Sequence, residues 1–256
     1  MTTADHTLAG VSIDGPIATL TLRRAEQRNA LSLELLDALH AGVGEVARTG
    51  GVRALVVTGE GKAFSAGMDL KQVLLDDESD RELPRRLLGS LGELTLRLRS
   101  LPMVVIASVN GAAVGGGCGM VCVADIAISH AGATLGFPEV DLGLCPAVIT
   151  PWVVRKLGAG RARAALLKGG VMSASEAHAI GLIDHLADDR AHLDVLTREI
   201  AERVAQGTSA ALASTKGLLN TLDAPIDARL LERGADLSAE RLVSDEAQAR
   251  LRARRR

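Results

Sequence analysis

The sequence of 256 residues predicts an α/β fold in which a core of alternating strands and helices precedes a helical C-terminal part. Up to about residue 145, short β-branched runs alternate with segments of helical periodicity. After Pro146 the chain shows helical periodicity almost throughout. Apolar residues make up 47% of the chain and charged residues 23%, which is ordinary for a globular protein whose core needs no disulfide.

The elements of the predicted core follow from turn chemistry, capping and periodicity. Asp14-Gly15 lies between two alternating runs and is typical of a hairpin turn. Ser32 is a favourable N-cap for a helix that ends at Arg48. The predicted strands are 6–13, 17–22, 52–58, 103–109, 126–129 and 134–136, the predicted helices are 32–48, 87–98 and 115–123, and residues 59–80 are a predicted loop.

Residues 100–124 carry no charge and are long enough to cross a bilayer. This stretch also contains five glycines, Pro102 and an Asn110-Gly111 turn signal. We therefore predict a buried strand, a turn and a buried helix here, and no membrane-spanning segment.

The C-terminal part is predicted to be helical at 152–157, 161–167, 175–180, 190–206, 209–221 and 227–256. We divide the chain into a core at 1–190 and a helical region at 191–256. The basic segment 252–256 is interpreted as a solvated helix end, because basic residues are favourable there. A phosphate-binding tail is the alternative interpretation.

Composition also excludes several classes of function. The net charge is −2, and the aromatic residues are two Phe and one Trp with no Tyr, so neither a basic face nor a base-stacking platform for nucleic acid is expected. Residues 1–10 lack the features of a secretory signal, which predicts a cytoplasmic location. Cys118, Cys122 and Cys145 are interpreted as small apolar residues rather than as metal ligands.

Three segments are candidates for chemistry. In Lys62–Leu70, small residues allow a ligand to approach the backbone closely, although a plain glycine-rich loop has the same composition. In Asn110–Gly119, three glycines at a helix start leave N–H groups free for an anion or a developing oxyanion, although close helix–strand packing would also need them. In Phe137–Pro146, Glu139 has apolar neighbours that would raise its pKa and suit it to acid–base catalysis, unless it is an exposed loop carboxylate.

Taken together, and in this order and spacing, the three segments resemble the crotonase superfamily of enoyl-CoA hydratases and isomerases. The resemblance covers about residues 11–186 and extends to Arg28-Asn29-Ala30-Leu31-Ser32 and Asp125-Ile126. It implies a crotonase-like ββα spiral core and a helical C-terminal trimerisation region. It also implies a homotrimer or a dimer of trimers.

The resemblance further implies an acyl-CoA thioester substrate, with coenzyme A as part of the substrate and no separate cofactor or metal. By motif position, the backbone N–H groups of Ala66 and Gly116 would hold the thioester oxygen, and Glu139 would be the acid–base group. Arg24 and Arg28 fall where the family places cations near the CoA phosphates. The implied substrate-binding residues are Arg24, Arg28, Ala66, Gly67, Met68, Asp69, Leu70 and Gly116.

One departure from the family pattern affects the expected reaction. The best-known hydratases use two glutamates, and the first would fall at Gly119, which cannot carry a proton. Segment 143–155 nevertheless resembles a branch of hydratases for glutaconyl-type or branched enoyl-CoAs. Hydration of a 2-enoyl-CoA is the leading hypothesis. The alternatives are single-glutamate isomerisation of an enoyl-CoA and non-catalytic acyl-CoA binding.

Asp125, Asp141 and Cys145 are expected to have structural roles, with Asp141 as an alternative second carboxylate. The walls of the acyl pocket are expected to come largely from Gln72–Leu94.

Overall fold

The computed structural model describes residues 2–5, 7–74, 82–223 and 226–254, and it confirms the predicted α/β fold with a helical C-terminal part. The strands are β1 (Thr2–Asp5), β2 (Ala9–Asp14), β3 (Ile17–Leu22), β4 (Ala54–Gly59), β5 (Ala63–Ser65), β6 (Val104–Val109), β7 (Ala112–Val114), β8 (Ile126–His130), β9 (Thr134–Gly136), β10 (Val171–Ser173) and β11 (His185–Ala187). The α-helices are α1 (Leu33–Arg48), α2 (Leu70–Val73), α3 (Glu82–Ser100), α4 (Gly116–Val123), α5 (Thr150–Lys168), α6 (Ala174–Ala179), α7 (Arg190–Ala205), α8 (Ser209–Leu222), α9 (Ala228–Leu242) and α10 (Asp245–Arg254).

The described strands form two sheets, and from β4 to β9 successive strands alternate between them. The larger sheet has the order β1-β2-β3-β4-β6-β8-β11 and is parallel from β3 onward, and the smaller has the order β10-β9-β7-β5. A strand of the larger sheet, a strand of the smaller sheet and a helix recur as β4-β5-α2, β6-β7-α4 and β8-β9-α5. This repeated unit is the ββα spiral that the resemblance implied.

The core lies on both faces of the larger sheet. Because side chains alternate along a strand, Leu55 and Val57 of β4 join the main cluster, which also contains the buried side chains of all three aromatic residues. Ala54 and Val56 instead pack against α7 in a second cluster. Helix α7, which belongs to the predicted helical region, therefore packs on the sheet of the core. The division of the chain at residue 190 stays a prediction.

The uncharged stretch 100–124 folds as β6, β7 and α4, and every residue of α4 is buried. Within the part of the chain that the structure describes, none of the helices combines the length and apolarity needed to cross a bilayer. Cys118 and Cys122 are buried in α4.

The structure differs from the predicted elements at two helical segments and at the shortest strands. The predicted helix 227–256 is two helices that break at Val243 and Ser244. The helices predicted at 152–157 and 161–167 are one helix, kinked at Gly158 with φ +74°. The three-residue strands β5, β7, β10 and β11 have little local signal, because strands of this length depend on pairing partners distant in sequence.

A buried ionic network attaches α8 to the core. Lys216 of α8 is 6% exposed, and its Nζ donates to Met103 O at 2.9 Å and to Asp125 Oδ2 at 2.7 Å. Asp125 also pairs with Arg99 Nη1 at 3.1 Å and accepts from Val105 N at 2.8 Å. Asp125 thus has the structural role that was expected of it.

We expect Lys216→Met to lower the free energy of unfolding by about 3 kcal/mol, because Asp125 loses one of its partners in a buried setting. Urea unfolding measures this change. Lys168→Met, at an exposed lysine in the last turn of α5, is the control and should change stability by less than about 0.5 kcal/mol. Equal effects of the two substitutions would contradict this role for Lys216.

Candidate active site

Two buried asparagines fix the loop that carries the first candidate segment. Asn29 Nδ2 donates to Glu60 O at 3.0 Å and to Ala63 O at 2.8 Å. Asn110 Oδ1 accepts from Gly59 N at 2.9 Å, and Asn110 Nδ2 donates to Ala63 O at 3.2 Å. Both side chains are buried, so the segment is held from two sides by hydrogen bonds that water does not compete for.

Ala66 does not have the free N–H group that was predicted. Its N–H donates to Arg28 O at 2.9 Å, and the residue is exposed. An N–H that is bonded to a backbone carbonyl cannot also stabilise an oxyanion. The prediction of Ala66 as a donor is therefore wrong, and the physical reason is the turn at Arg28, whose φ of 52° directs this carbonyl toward Ala66.

Met68, two residues further along, does have a free N–H group. Leu31 N donates to Gly67 O at 2.7 Å, and Asp69 N donates to Leu31 O at 3.0 Å, so these bonds flank Met68. In an extended segment the groups of the intervening residue point the opposite way. Among the described residues, no acceptor bonds to Met68 N–H, and Met68 lines the main cleft.

The N-terminus of α4 meets this loop through glycines. Gly116 is the first residue of α4, where N–H groups have no partner within the helix and the helix dipole is positive. A Cβ atom on Gly67, whose φ is +84°, would lie 2.7 Å from Val114 O and 3.7 Å from Gly116 N. A Cβ atom on Gly117 would lie 2.6 Å from Ser65 Cβ. The absence of these side chains brings the Met68 and Gly116 backbones to the same cleft.

Glu139 lies beside the start of α4, since a Cβ atom on Gly115 would be 2.8 Å from Glu139 Oε1. Glu139 Oε2 is buried and has no hydrogen-bond partner. Burial raises the pKa of Glu139 to about 7, and the charge of Asp141 adds to the rise, while a hydrogen bond from the backbone opposes it. Near neutral pH this carboxyl can therefore both accept and donate a proton.

Position 119 cannot supply a second carboxyl. A Cβ atom on Gly119 would overlap Ile149 Cγ2 and lie 2.8 Å from Ile149 Cβ. Asp141 does not replace it, because its Oδ2 accepts from Gly170 N at 2.9 Å and the residue does not line the cleft. Glu139 is the one carboxylate among the described residues that line the cleft.

The cleft beside Glu139 is narrow and apolar, with a cavity volume of about 30 Å³. Part of its wall comes from α3, inside the predicted range 72–94, of which residues 75–81 lie outside the described residues. Segment 144–149 and α9 contribute further parts of the wall. The lining residues are Met68, Leu88, Leu91, Gly116, Glu139, Leu144, Cys145, Pro146, Val148, Ile149, Ser238 and Leu242.

Helix α9 packs against the segment that forms the wall of the cleft. Ser238 Oγ donates to Cys145 O at 2.7 Å and accepts from Ala147 N at 3.1 Å. A Cβ atom on Gly234 would lie 2.9 Å from Ala147 O. These contacts join positions about 90 residues apart, and sequence reasoning missed them because a small residue in a helix does not reveal its tertiary neighbour.

Some of the residues predicted to contact CoA are already engaged in contacts within the protein. Arg24 pairs with Asp69 Oδ2 at 2.6 Å and donates to Ala30 O at 2.9 Å. Asp69 Oδ1 also caps α2 by accepting from Lys71 N at 2.9 Å. Arg28 is exposed, so its guanidinium is accessible to a ligand, whereas Leu70 packs against the core.

The raised pKa of Glu139 makes stability depend on pH in a defined direction. Between its ordinary value of 4.5 and about 7, the folded state holds a proton that the unfolded state has lost. The contribution to stability is complete below pH 4.5 and is lost as the pH rises to 7. We expect the stability of Glu139→Gln relative to wild type to rise by about 3 kcal/mol across this window.

Thermal unfolding at several pH values measures this difference. Glu176→Gln is the control, because hydrogen bonds from Ser173 lower the pKa of Glu176 below 4.5, so the difference between this variant and wild type should change little between pH 4.5 and 7. A difference between Glu139→Gln and wild type that does not change from pH 4.5 to 7 would show that Glu139 titrates normally.

The comparisons with known proteins agree with this geometry. A family model described as enoyl-CoA hydratase/isomerase matches residues 12–252. The chain is 31% identical to the short-chain-enoyl-CoA hydratase of Clostridium acetobutylicum over 210 residues, which cover 81% of this chain and 78% of that protein. It is 34% identical to enoyl-CoA hydratase domain-containing protein 3, mitochondrial, of Danio rerio, over 81% of this chain and 71% of that protein.

Solved structures show the same relationship. The enoyl-CoA hydratase from Bacillus halodurans superimposes with a TM-score of 0.87 at 25% identity, covering 96% of this chain and 100% of that chain. An enoyl-CoA hydratase/isomerase from Marinobacter aquaeolei gives a TM-score of 0.78 at 32% identity, covering 90% and 89%. The sequence motifs, the spiral fold and these matches establish that the chain belongs to the enoyl-CoA hydratase/isomerase family of the crotonase superfamily.

Proposed function

We propose that this enzyme adds water to the double bond of a 2-enoyl-CoA. One observation carries the proposal: Glu139, a carboxyl of raised pKa whose buried Oε2 has no hydrogen-bond partner, borders the same apolar cleft as the backbones of Met68 and Gly116. A carboxyl that can exchange protons and a pair of oxyanion donors are the two components that hydration of a conjugated thioester requires.

In this mechanism the thioester oxygen accepts hydrogen bonds from Met68 N–H and Gly116 N–H. Negative charge develops on this oxygen as the substrate becomes enolate-like, so the donors bind the transition state more strongly than the substrate. Each donor contributes about 3 kcal/mol to the lowering of the barrier. The apolar surroundings strengthen both bonds because the local dielectric constant is low.

Glu139 would move the single proton that the reaction needs. As the water oxygen bonds to C3, one O–H bond of water breaks and its proton passes to Glu139, while the π electrons of the C2–C3 bond move toward the thioester oxygen. Glu139 then gives this proton to C2, and the enolate electrons form the new C–H bond. One carboxyl with a pKa near 7 serves both steps, because it is a competent base and a competent acid at neutral pH.

Isomerisation of a 3-enoyl-CoA is the second candidate. The observation that favours it is the contact between Gly119 and Ile149, which leaves the described cleft with one carboxylate. A single base can remove a proton from C2 and return it to C4 without water. Non-catalytic binding of acyl-CoA is a weaker alternative, because binding alone does not require a carboxyl whose buried Oε2 has no hydrogen-bond partner.

The cleft favours a hydrocarbon acyl group. The described residues that line it include no Lys, Arg or His, so a second carboxylate on the substrate would be buried without a cation. We therefore favour a straight or branched hydrocarbon chain over a glutaconyl-type group. For the CoA phosphates we propose contact with the exposed Arg28.

Exposed apolar side chains support assembly into a trimer or a dimer of trimers. Leu218, Leu219 and Leu222 of α8 are 60%, 51% and 71% exposed, and Val154 and Leu167 of α5 are 40% and 65% exposed. Apolar residues grouped in this way are typical of subunit interfaces.

We expect Glu139→Gln to reduce kcat for crotonyl-CoA by at least about 100-fold, because an amide cannot transfer the proton. The loss of conjugated-thioester absorbance gives the rate, and a mass increase equal to that of water identifies hydration. Conversion of a 3-enoyl-CoA to its 2-enoyl isomer, without water addition to crotonyl-CoA, would instead make the enzyme an isomerase. Unchanged turnover by the variant would contradict a role for Glu139.

We expect Gly67→Ala to lower kcat by about 100-fold, because a Cβ atom at φ +84° and 2.7 Å from Val114 O displaces the loop that holds Met68 N–H. Gly217→Ala is the matched control, since a Cβ atom there meets nothing within 4 Å. Circular dichroism checks that both variants fold. Full activity of folded Gly67→Ala would exclude this loop from the oxyanion site.

A further inference from the structure

Ile149 occupies the space above Gly119 and is held there by its backbone. It is 2% exposed, and its carbonyl accepts from Trp152 N at 3.0 Å and Val153 N at 3.1 Å at the start of α5. Trp152 is itself anchored, because its Nε1 donates to Thr95 Oγ1 at 3.0 Å in the core. The backbone of Ile149 is therefore held by the start of α5, which is itself anchored to the core.

The same side chain forms part of the cleft wall next to Glu139. A Cβ atom on Gly119 would overlap Ile149 Cγ2 and lie 2.8 Å from Ile149 Cβ, so no side chain can share this space. The side chain of Ile149 thus occupies the space that a side chain at position 119 would fill, and it forms the cleft wall there. Because its branched, apolar side chain is stiff, it presents a fixed surface there.

We propose that Ile149 is the specificity-determining residue of the acyl cleft, and that it limits the width of the acyl group beside Glu139. This inference rests on the proposed function in one respect, since it takes the cleft as the acyl site. Removal of the side chain opens a space over Gly119, which has no side chain to fill it. The cleft of such a variant then accommodates larger acyl groups than the wild-type cleft does.

Binding of saturated thioesters tests the proposal without any turnover. Calorimetry gives Kd for butyryl-CoA and for the branched isovaleryl-CoA with wild type, Ile149→Gly and Val148→Ala. We expect Ile149→Gly to shift the ratio of the two Kd values at least about 10-fold toward isovaleryl-CoA, since one methylene in an apolar pocket changes discrimination by this order. An unchanged ratio overturns the proposal.

Val148→Ala is the control within the same cleft. Val148 lines the cleft, but its Cγ1 lies on the α3 side, 3.6 Å from where a Cβ atom on Gly92 would be. A shift in the Kd ratio of the same size in Val148→Ala would mean that any widening of the cleft has this effect. That result overturns the assignment to Ile149.

A second experiment tests the packing without a ligand. We expect Gly119→Ala to lower Tm in the wild-type background and to have little effect in the Ile149→Gly background, where both close contacts are gone. Equal losses in the two backgrounds would overturn the proposal, because Ile149 would not be what excludes a side chain at 119.

The two experiments also separate this inference from the proposed function. If the wild type converts no enoyl-CoA but the Kd ratio shifts as expected, the proposed reaction fails and the role of Ile149 stands. If hydration is observed and the Kd ratio does not change, the reaction stands and the role of Ile149 fails.

Discussion

The close approach of the loop 65–68 to the N-terminus of α4 is the contact on which the rest of the site depends. It is possible because Gly67 and Gly117 have no side chains where Val114 O and Ser65 would collide with them. The buried amides of Asn29 and Asn110 hold the loop in this position. The approach brings the backbones of Met68 and Gly116 to one cleft, which Glu139 also lines.

The apolar character of the cleft links the chemistry to a cost in stability. The same burial that raises the pKa of Glu139 to about 7 leaves its Oε2 without a partner. A better-solvated carboxyl would stabilise the fold at neutral pH but would be a weaker base. Ile149 lines the same cleft, so the proposed specificity residue and the proposed acid–base group share one apolar site.

The sequence was sufficient for the features that depend on local pattern or on motif spacing. Ser32 caps α1 as predicted, the uncharged stretch forms β6, β7 and α4, and the spiral core follows the resemblance. Features that depend on tertiary contacts were not predictable. The bond from Ala66 N to Arg28 O, the contact of Ile149 with Gly119 and the entry of α9 into the cleft join residues with no periodic relationship. The free N–H of Met68 was recoverable only from the pairing of its neighbours with Leu31.

We propose that Met68 N–H and Gly116 N–H converge on the thioester oxygen. The infrared stretching frequency of the carbonyl in a bound acyl-CoA, labelled with ¹³C at that carbon, tests this arrangement. We expect a shift to lower frequency on binding, because two hydrogen bonds polarise the C=O bond, and a smaller shift in Gly67→Ala than in Gly217→Ala. A carbonyl that keeps its frequency in water when bound to the wild type would show that the two N–H groups do not hold the thioester oxygen.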